Sequence, residues 1–381
     1  MANHMIVQNR PKILFISHSY PPTMGGVESQ NYNLAQGLAR IADIKIIANG
    51  KGKVWLPIFI PLTFLRGIFL MFQYDVCLVG NGVLAPVAAI LKFLYPHKRF
   101  FSVVHGLDIT FITKKGILSK IYKAVNIPSL NVLDRLFMVG NFTIEEAVKA
   151  GISRERCVFI PNGVSPESLR KLHAREELSN LFGADVSGKK VILRLARFVP
   201  HKGTSWFIEN VMPKLVDDIV MIAAGHRVAK NTAGDPDNFL ECERVIEEKG
   251  LTNRVKLLPS LSQEGIEILL NTTDLVVSPN IHHPGSMEGF GINAIEASAC
   301  GRVVLASNME GLADAVKENE NGFLLEPENV DVWVSAIEEL FKKDESYLED
   351  FGKKAAKFTK EHFSWNGISH RYLEEMEKIA K

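Results

Sequence analysis

Residues 284–301 read Pro-Gly-Ser-Met-Glu-Gly-Phe-Gly-Ile-Asn-Ala-Ile-Glu-Ala-Ser-Ala-Cys-Gly. Two carboxylates, Glu288 and Glu296, flank a glycine-punctuated turn, and an apolar, Ala-rich helix follows. Apolar runs at 274–279 and 302–307 predict a strand on each side. This order of strand, loop, helix and strand indicates a parallel α/β sheet with a ligand loop. A helix amino end attracts phosphate and carboxylates accept hydrogen bonds from hydroxyls, so the segment predicts a ligand carrying phosphate and sugar hydroxyls.

The same segment resembles the Glu-x7-Glu signature of retaining GT-B glycosyltransferases of family 4. Two Glu at this spacing alone are uninformative, but EGFGxxxxEAxAxG after a Ser-Pro strand end is specific. The resemblance covers about residues 12–363. It implies that Glu288 contacts the transferred sugar and that Glu296 holds the ribose hydroxyls. It also implies that backbone amides at the turn stabilise the diphosphate, at Gly289, Phe290, Gly291 and Ile292.

The length of 381 residues suits two domains better than one. Short apolar runs alternate with helical stretches in the first half, and the pattern restarts near residue 190. We therefore predict two Rossmann-like, doubly wound parallel-sheet domains, which in the GT-B architecture face an interdomain cleft. The first is predicted at 1–165, completed by a carboxyl-terminal helix at 364–381, and the second at 166–363. The polar stretch 165–188 is predicted to be a linker.

The composition excludes several other classes of protein. The formal net charge is +1, which gives no case for nucleic-acid binding. Four scattered cysteines without a C-x-x-C pair indicate neither a disulfide framework nor a zinc site. The first residues carry no signal-peptide pattern. We therefore expect a cytoplasmic protein, located at the inner face of the cell membrane if it contacts lipid.

A basic loop follows the first strand of the second half. Arg197 and Lys202 lie five residues apart between this strand and the next helix. An Arg fork and a Lys point charge suit a diphosphate, which gains charge as it leaves. The resemblance implies this role, since the family has Gly-Arg-x4-Lys-Gly here. This chain has Ala196 for the first Gly, and an additional basic residue, Arg194, leaves open which arginine is the clamp.

The first half supplies further candidates. Its first strand leads to a loop with two prolines and then Gly25-Gly26, which is not a nicotinamide fingerprint. The resemblance places this loop over the diphosphate and His105, at the end of a later strand, on a hydroxyl of the donor sugar. It implies that Asp108 orients His105 or meets the acceptor, and that Asn162 lies near the acceptor. The alternatives are a tight turn, a strand-end His bonded to backbone, and a plain Asn-Gly turn.

The donor base and the acceptor are less well specified. Where the family has Gly-x-Gly-Pro, this chain has Gly225-His-Arg-Val and a polar loop to Asp237, so the base is open. Residues 54–72 are apolar and aromatic but interrupted by prolines and Arg66, which argues against a membrane span. They are either a buried crossover helix or an interfacial segment touching a bilayer. Nearby basic residues would favour anionic lipid, namely Lys92, Lys98, Arg99, Lys114, Lys115, Lys120 and Lys123.

The resemblance implies a retaining, metal-independent hexosyltransferase that uses no cofactor. The donor would be a nucleotide-diphosphate sugar, with a UDP-sugar as first choice. The acceptor would be a hydroxyl of a glycan or lipid-linked molecule in envelope polysaccharide or glycolipid synthesis. The catalytic residues would be Glu288, His105, Arg197 and Lys202. A GT-B sugar-nucleotide epimerase and a silent subunit that binds nucleotide sugar or a partner enzyme remain the alternatives.

Overall fold

The computed structural model describes residues 10–23, 25–113, 116–228 and 237–380. The polar loop residues 229–236, Lys114 and Lys115 lie outside these ranges, as do residues 1–9. Within them the chain forms two compact units. One runs up to Gly163 and resumes at Trp365, and the other spans Val164–Ser364.

The first unit is a parallel six-stranded sheet in the order β2-β1-β3-β4-β5-β6. Its strands are β1 Lys12–Ser17, β2 Asp43–Ala48, β3 Val76–Val79, β4 Arg99–Val104, β5 Arg135–Met138 and β6 Cys157–Phe159. Its helices are α1 Gly26–Ile41, α2 Leu56–Leu70, α3 Ala85–Leu94, α4 Gly106–Thr113, α5 Ile117–Val132 and α6 Asn141–Lys149. The central strands are buried on both faces, as near-continuous apolar runs require in a parallel sheet covered by helices.

The second unit is another parallel six-stranded sheet, in the order β12-β11-β10-β7-β8-β9. Its strands are β7 Lys190–Leu195, β8 Ile219–Ala224, β9 Val255–Leu258, β10 Leu275–Ser278, β11 Val303–Ser307 and β12 Phe323–Leu325. Its helices are α7 Pro166–Leu169, α8 Arg175–Phe182, α9 Thr204–Asn210, α10 Asn238–Glu248, α11 Gln263–Thr272, α12 Ile292–Ala299, α13 Leu312–Ala315, α14 Val330–Phe341 and α15 Glu345–Phe363. The short strand β12 was missed by the sequence reading.

The predicted linker at 165–188 is wrong. This stretch contains α7 and α8, which belong to the second unit. Leu178 and Phe182 are buried four residues apart on one face of α8. Lys171 Nζ also lies 2.6 Å from Glu267 Oε2 on α11. The two helices are too short and polar to give a clear periodic signal, so they resembled a connecting segment.

The last helix, α16 (Trp365–Ala380), packs on α1 in the first unit. The contact is so close that a Cβ at Gly37 would lie 1.9 Å from Ser369 Oγ. The helix buries one apolar stripe with a helical period against the sheet. The members of this stripe are Trp365, Ile368, Tyr372 and Met376.

Helix α2 combines features of both interpretations of residues 54–72. It is the crossover between β2 and β3 and packs one face against the core through Phe59, Phe64 and Ile68. Its fully buried residues are Thr63 and Gly67. Its solvent-facing side carries exposed apolar side chains, including Leu62, Leu65 and Phe69. Across the described part of the chain, no helix combines the length and hydrophobicity that a membrane crossing requires.

Candidate functional site

The second unit has its topological switch point between β7 and β10. Read from β9, the order is that of the Rossmann sheet, in which the strand order reverses between these two strands. Ligands of such sheets bind at the carboxyl ends of the strands beside this reversal. The loop 196–203 follows β7 and the loop 279–291 follows β10. Both of the predicted donor-binding motifs therefore lie at this edge.

Lys202 and Glu288 form a close ion pair across these two loops. Their side chains are only 15% and 13% exposed, and Asn280 Nδ2 donates a second hydrogen bond to Glu288 Oε2 at 3.2 Å. Burial alone raises the pKa of Glu288, but the Lys202 ammonium and the Asn280 amide outweigh it and hold the pKa near 2. Burial lowers the pKa of Lys202, and Glu288 opposes that change. The site therefore holds an ionised carboxylate at neutral pH.

Arg194 is buried and bonds to the two loops that carry Lys202 and Asn280. Its Nη2 donates to Lys202 O at 2.7 Å and to Asn280 Oδ1 at 2.9 Å. Arg194 thus links the loop after β7 to the loop after β10 through hydrogen bonds on their buried side. Arg197, in contrast, is exposed at the end of the strand. Arg197 is therefore the more accessible of the two arginines, and its role as the diphosphate clamp stays a prediction.

Two glycines allow the loops to approach each other and the helix to begin. Gly203 has a φ of +67°, and a Cβ there would lie 1.8 Å from Pro279 O. Gly291 has a φ of +93° and caps the amino end of α12. Phe290, directly before Gly291, is buried, with its ring centroid 5.7 Å from that of Phe363. Its side chain therefore anchors the turn in the core, and the backbone of Gly289 and Ile292 lies at the amino end of α12.

A cavity of about 240 Å³ opens next to this helix. Arg197, from the loop after β7, and Glu296, from α12, line it together with Asn293, Gly225 and His226. Burial raises the pKa of Glu296 to about 7. A cation, Arg197, and hydrogen-bonding groups thus line one concave surface, which suits a ligand that has both anionic and hydroxyl groups. The deviating Gly225-His226 segment also forms part of this wall.

The first unit has its own switch point, between β1 and β3, and His105, which follows β4, contacts the end of β3. His18 Nδ1 donates to Asn81 Oδ1 at 2.6 Å across the ends of β1 and β3. Buried His105 donates from Nε2 to Gly80 O at 3.1 Å, and burial lowers its pKa. This fixes a neutral ring whose Nδ1 is the acceptor. One ring nitrogen of His105 is thus bonded to backbone, as the alternative interpretation of a strand-end His predicted.

Asp108 serves the fold. Its Oδ2 accepts hydrogen bonds from the backbone N–H groups of His105, at 2.9 Å, and Gly82, at 3.0 Å. Because the carboxylate is buried and its Oδ2 is so engaged, it holds the backbone of the His105 segment. The acceptor role of Asp108 stays a prediction.

The remaining predictions fall on two turns. Gly25 is the amino cap of α1 and Gly26 its first residue, so the glycine pair opens the helix as predicted. Asn162 is buried. A Cβ at neighbouring Gly163 would lie 2.5 Å from the Trp365 ring. The Asn-Gly pair therefore packs as a tight turn against α16.

Sequence reasoning missed the polar residues that support the site. Asn280, His18 and Asn81 each follow a strand at a switch point, which is the signal that would have found them. Glu310 was also missed, because it lies in a turn after β11 without any motif. Its carboxylate Oε2 nevertheless accepts a hydrogen bond from the Glu288 N–H at 2.6 Å.

The chain has two doubly wound parallel sheets, and the motifs predicted to bind the sugar donor lie at the switch point of the second. This arrangement defines the GT-B class of α/β protein. Residues 182–358 match the family model described as Glycosyl transferases group 1. The resemblance predicted from the sequence, to GT-B glycosyltransferases of this group, is thereby confirmed.

Individual relatives agree with this. The chain is 27% identical over 190 residues to the D-inositol 3-phosphate glycosyltransferase of Rhodococcus erythropolis, covering 46% of this chain and 41% of that protein. The match thus spans less than half of that relative. An uncharacterized glycosyltransferase of Methanocaldococcus jannaschii is 28% identical over 94% of this chain and 96% of its own. Anabaena HepE in complex with UDP and glucose has the same fold, with a TM-score of 0.77, 19% identity and coverage of 97% and 100%.

Proposed function

We propose that this protein transfers a sugar from a nucleotide-diphosphate sugar, with UDP as the nucleotide, to a hydroxyl of a glycan or lipid-linked acceptor. One observation carries the proposal. The largely buried Lys202–Glu288 pair and the cavity lined by Arg197 and Glu296 lie at the same edge of the second sheet, where β7 and β10 end. The choice of UDP draws support from the UDP complex of HepE. The products would serve envelope polysaccharide or glycolipid synthesis.

Each charge has a proposed task on the donor. Arg197 and Lys202 neutralise the diphosphate, aided by the amide end of α12. Glu296 accepts hydrogen bonds from the ribose, and ionised Glu288 accepts them from hydroxyls of the sugar. These two cations and the helix end supply the charge stabilisation that a metal gives elsewhere, so we propose a metal-independent reaction. The donor roles of His105, Gly25 and Gly26, and the acceptor role of Asn162, stay predictions.

We also propose transfer with retention of configuration. The acceptor hydroxyl would attack the anomeric carbon on the face from which the diphosphate leaves. The bond from that carbon to the diphosphate oxygen breaks, and the hydroxyl proton passes to a diphosphate oxygen. Glu288 is held by Lys202 and Asn280 as a hydrogen-bond acceptor, which supports a role on the sugar hydroxyls and not as a nucleophile. The anomeric configuration of the product, read by NMR, tests this step.

Thermal unfolding with UDP, GDP, ADP and their sugars, with and without EDTA, tests donor binding. A ligand at 100 times its dissociation constant stabilises by about 2.7 kcal/mol, which raises the midpoint visibly. We expect a shift with UDP that EDTA leaves unchanged. Loss of the shift in EDTA would contradict metal independence. Conversion of the donor sugar without any acceptor would favour the epimerase, and binding with no turnover would favour the silent subunit.

The surface of the first unit supports a proposal of contact with the membrane. Exposed apolar side chains project from three neighbouring helices, among them Phe69 of α2, Phe93 of α3 and Leu118 of α5. Exposed basic residues accompany them, namely Lys51, Arg66, Lys120 and Lys123. We propose that this surface binds anionic lipid at the inner face of the cell membrane, where a lipid-linked acceptor would lie.

Three of the predicted basic contributors have other partners. Lys92 Nζ lies 2.8 Å from Asp134 Oδ1, and Arg99 lies 3.9 Å from the same oxygen. Lys98 Nζ lies 2.9 Å from Asp75 Oδ1. Because carboxylates already balance these charges, they add little attraction to lipid, and the four basic residues named above are the better candidates.

A further inference from the structure

Glu310 occupies an unusual backbone conformation at the edge of the proposed donor site. Its φ is +47°, a left-handed value that only two other non-glycine residues of the described ranges adopt, Asn319 and Glu328. Such a conformation costs free energy in a residue with a Cβ and is often retained where a side chain has a task. Glycine at this position would relieve the strain. The chain instead carries a carboxylate there.

The Glu310 side chain reaches the loop that holds the sugar-binding Glu288. Its Oε2 accepts the hydrogen bond from the Glu288 N–H at 2.6 Å. The next residue, Gly311, donates its N–H to Glu288 O at 3.1 Å. The Glu310 carboxyl group is thus held by a hydrogen bond to the backbone of Glu288. The ionisable groups that bear on Glu310 are Glu288, His282 and Lys202.

Two carboxyl groups, those of Glu288 and Glu310, therefore meet at this corner. Lys202 already neutralises Glu288 as a direct ion pair. Glu310 adds a carboxyl group that has no direct ion pair in the described structure. When this group is ionised, a third carboxylate brought in by a ligand would be repelled across a short, partly buried distance.

We propose that Glu310 is a specificity-determining residue of the donor site, which favours nucleotide sugars with a neutral hexose and excludes those whose hexose carries a carboxylate. This inference rests on the proposed function. The hydroxyl groups of a neutral hexose donate hydrogen bonds, which the carboxylates of Glu288 and Glu310 can accept. The carboxylate of a hexuronate instead places a negative charge near both. The discrimination acts on the sugar alone, so the affinity for the nucleotide diphosphate does not depend on Glu310.

Calorimetric titration in mildly alkaline buffer, where Glu310 is ionised, tests the proposal. The ligand pairs are UDP-glucose with UDP-glucuronate and GDP-mannose with GDP-mannuronate, and free UDP and GDP are included. For the pair with the preferred base, we expect the wild type to bind the neutral sugar at least about tenfold more tightly. Glu310→Gln removes the charge and should bring this ratio to within about threefold of one, with the affinity for the free nucleotide unchanged.

Two further variants keep the result interpretable. Glu310→Gly relieves the left-handed strain, folds if the Gln variant does not, and should show the same loss of discrimination. Glu328→Gln is the matched control, because Glu328 also has a positive φ, of +58°, and pairs with His282 at 3.4 Å. It should leave the ratio as in the wild type. An unchanged ratio in both Glu310 variants overturns this inference alone, whereas a wild type that binds none of these ligands overturns the proposed function with it.

Discussion

Lys202 and Glu288 illustrate how a charged pair is retained in a largely buried place. Each would be costly alone, and the mutual attraction with the Asn280 hydrogen bond compensates for lost hydration. A designed core would place apolar residues here at no loss of stability. The pair is therefore expected to serve the ligand, and its stability and activity effects should be separable.

Replacing Lys202 by Met leaves Glu288 buried without its partner. We expect the free energy of unfolding to fall by about 3 kcal/mol or more, and transfer to fall at least about 100-fold. The double variant Lys202→Met/Glu288→Gln removes both charges, so stability should return to within about 1.5 kcal/mol of the wild type while transfer stays absent. Urea unfolding and a product assay measure the two effects. Near-normal turnover in the double variant would contradict the site assignment.

Glu296 should make stability depend on pH. Its pKa rises from 4.5 to about 7 in the folded protein, so the folded state keeps a proton that the unfolded state releases. This contribution is fully present below pH 4.5 and is lost as pH rises through about 7. Glu296→Gln should make the decline in unfolding free energy over this interval shallower in urea titrations. Glu264→Gln, at an exposed carboxylate on α11, is the control and should leave the slope unchanged.

At the scale of elements, loops at a strand end position the charges, and glycine decides how closely the loops approach. Gly203→Ala would place a Cβ 1.8 Å from Pro279 O in addition to the left-handed strain. Gly250 has nearly the same φ, +66°, with open space around it, so Gly250→Ala carries the strain alone. We expect Gly250→Ala to cost about 1 kcal/mol and Gly203→Ala at least about 2 kcal/mol more, with loss of nucleotide binding. Equal unfolding free energies of the two variants would contradict the close approach.

Helix α2 makes a second prediction at this scale. Leu62, Leu65 and Phe69 are exposed, so changing all three to Ser should not lower the melting temperature. It should reduce binding to liposomes of anionic lipid by about tenfold or more, because the apolar area that enters the interface is lost. Val216→Ser/Leu240→Ser alters exposed apolar residues of the second unit and is the control. Unchanged flotation of the triple variant would exclude this surface as the membrane contact.

At the scale of the whole molecule, the chain passes between its two units at two adjacent points. Val164 N donates to Phe363 O at 2.7 Å where the second unit begins and ends. The first unit is completed only when the chain returns as α16, whose apolar stripe enters the same cluster as β1 and β5. A unit assembled from distant segments depends on its last helix for a complete core.

Trp365→Ala should therefore destabilise the first unit in particular. Trp365 is buried against the Gly163 turn, and removing its ring leaves a cavity, which we expect to cost about 3 kcal/mol or more. Glu374→Ala on the exposed side of the same helix should change little. Denaturant unfolding followed by segment-resolved hydrogen exchange distinguishes the two units. Equal destabilisation of both units by Trp365→Ala would contradict this assignment.

The sequence by itself determined the two parallel sheets, the Glu288 and Glu296 motif and the loop with Arg197 and Lys202. Apolar runs of strand length and glycines at turns are local signals, so they can be recognised in the sequence without the tertiary structure. The strands predicted at 274–279 and 302–307 agree with β10 and β11 to within one residue at each end. The short α7 and α8 were not predicted, because two turns of helix hold too few apolar positions to show a period.

Only the tertiary structure decided which charges meet. Arg194 and Arg197 differ by three positions in sequence, yet one braces two loops from the interior and the other lines a cavity. Asp108 accepts hydrogen bonds from backbone amides, and Glu310 accepts one from the backbone of Glu288, 22 residues earlier in the chain. The physical reason is that burial and partners, which set the protonation and role of a polar group, depend on contacts between strand ends that are remote in the chain.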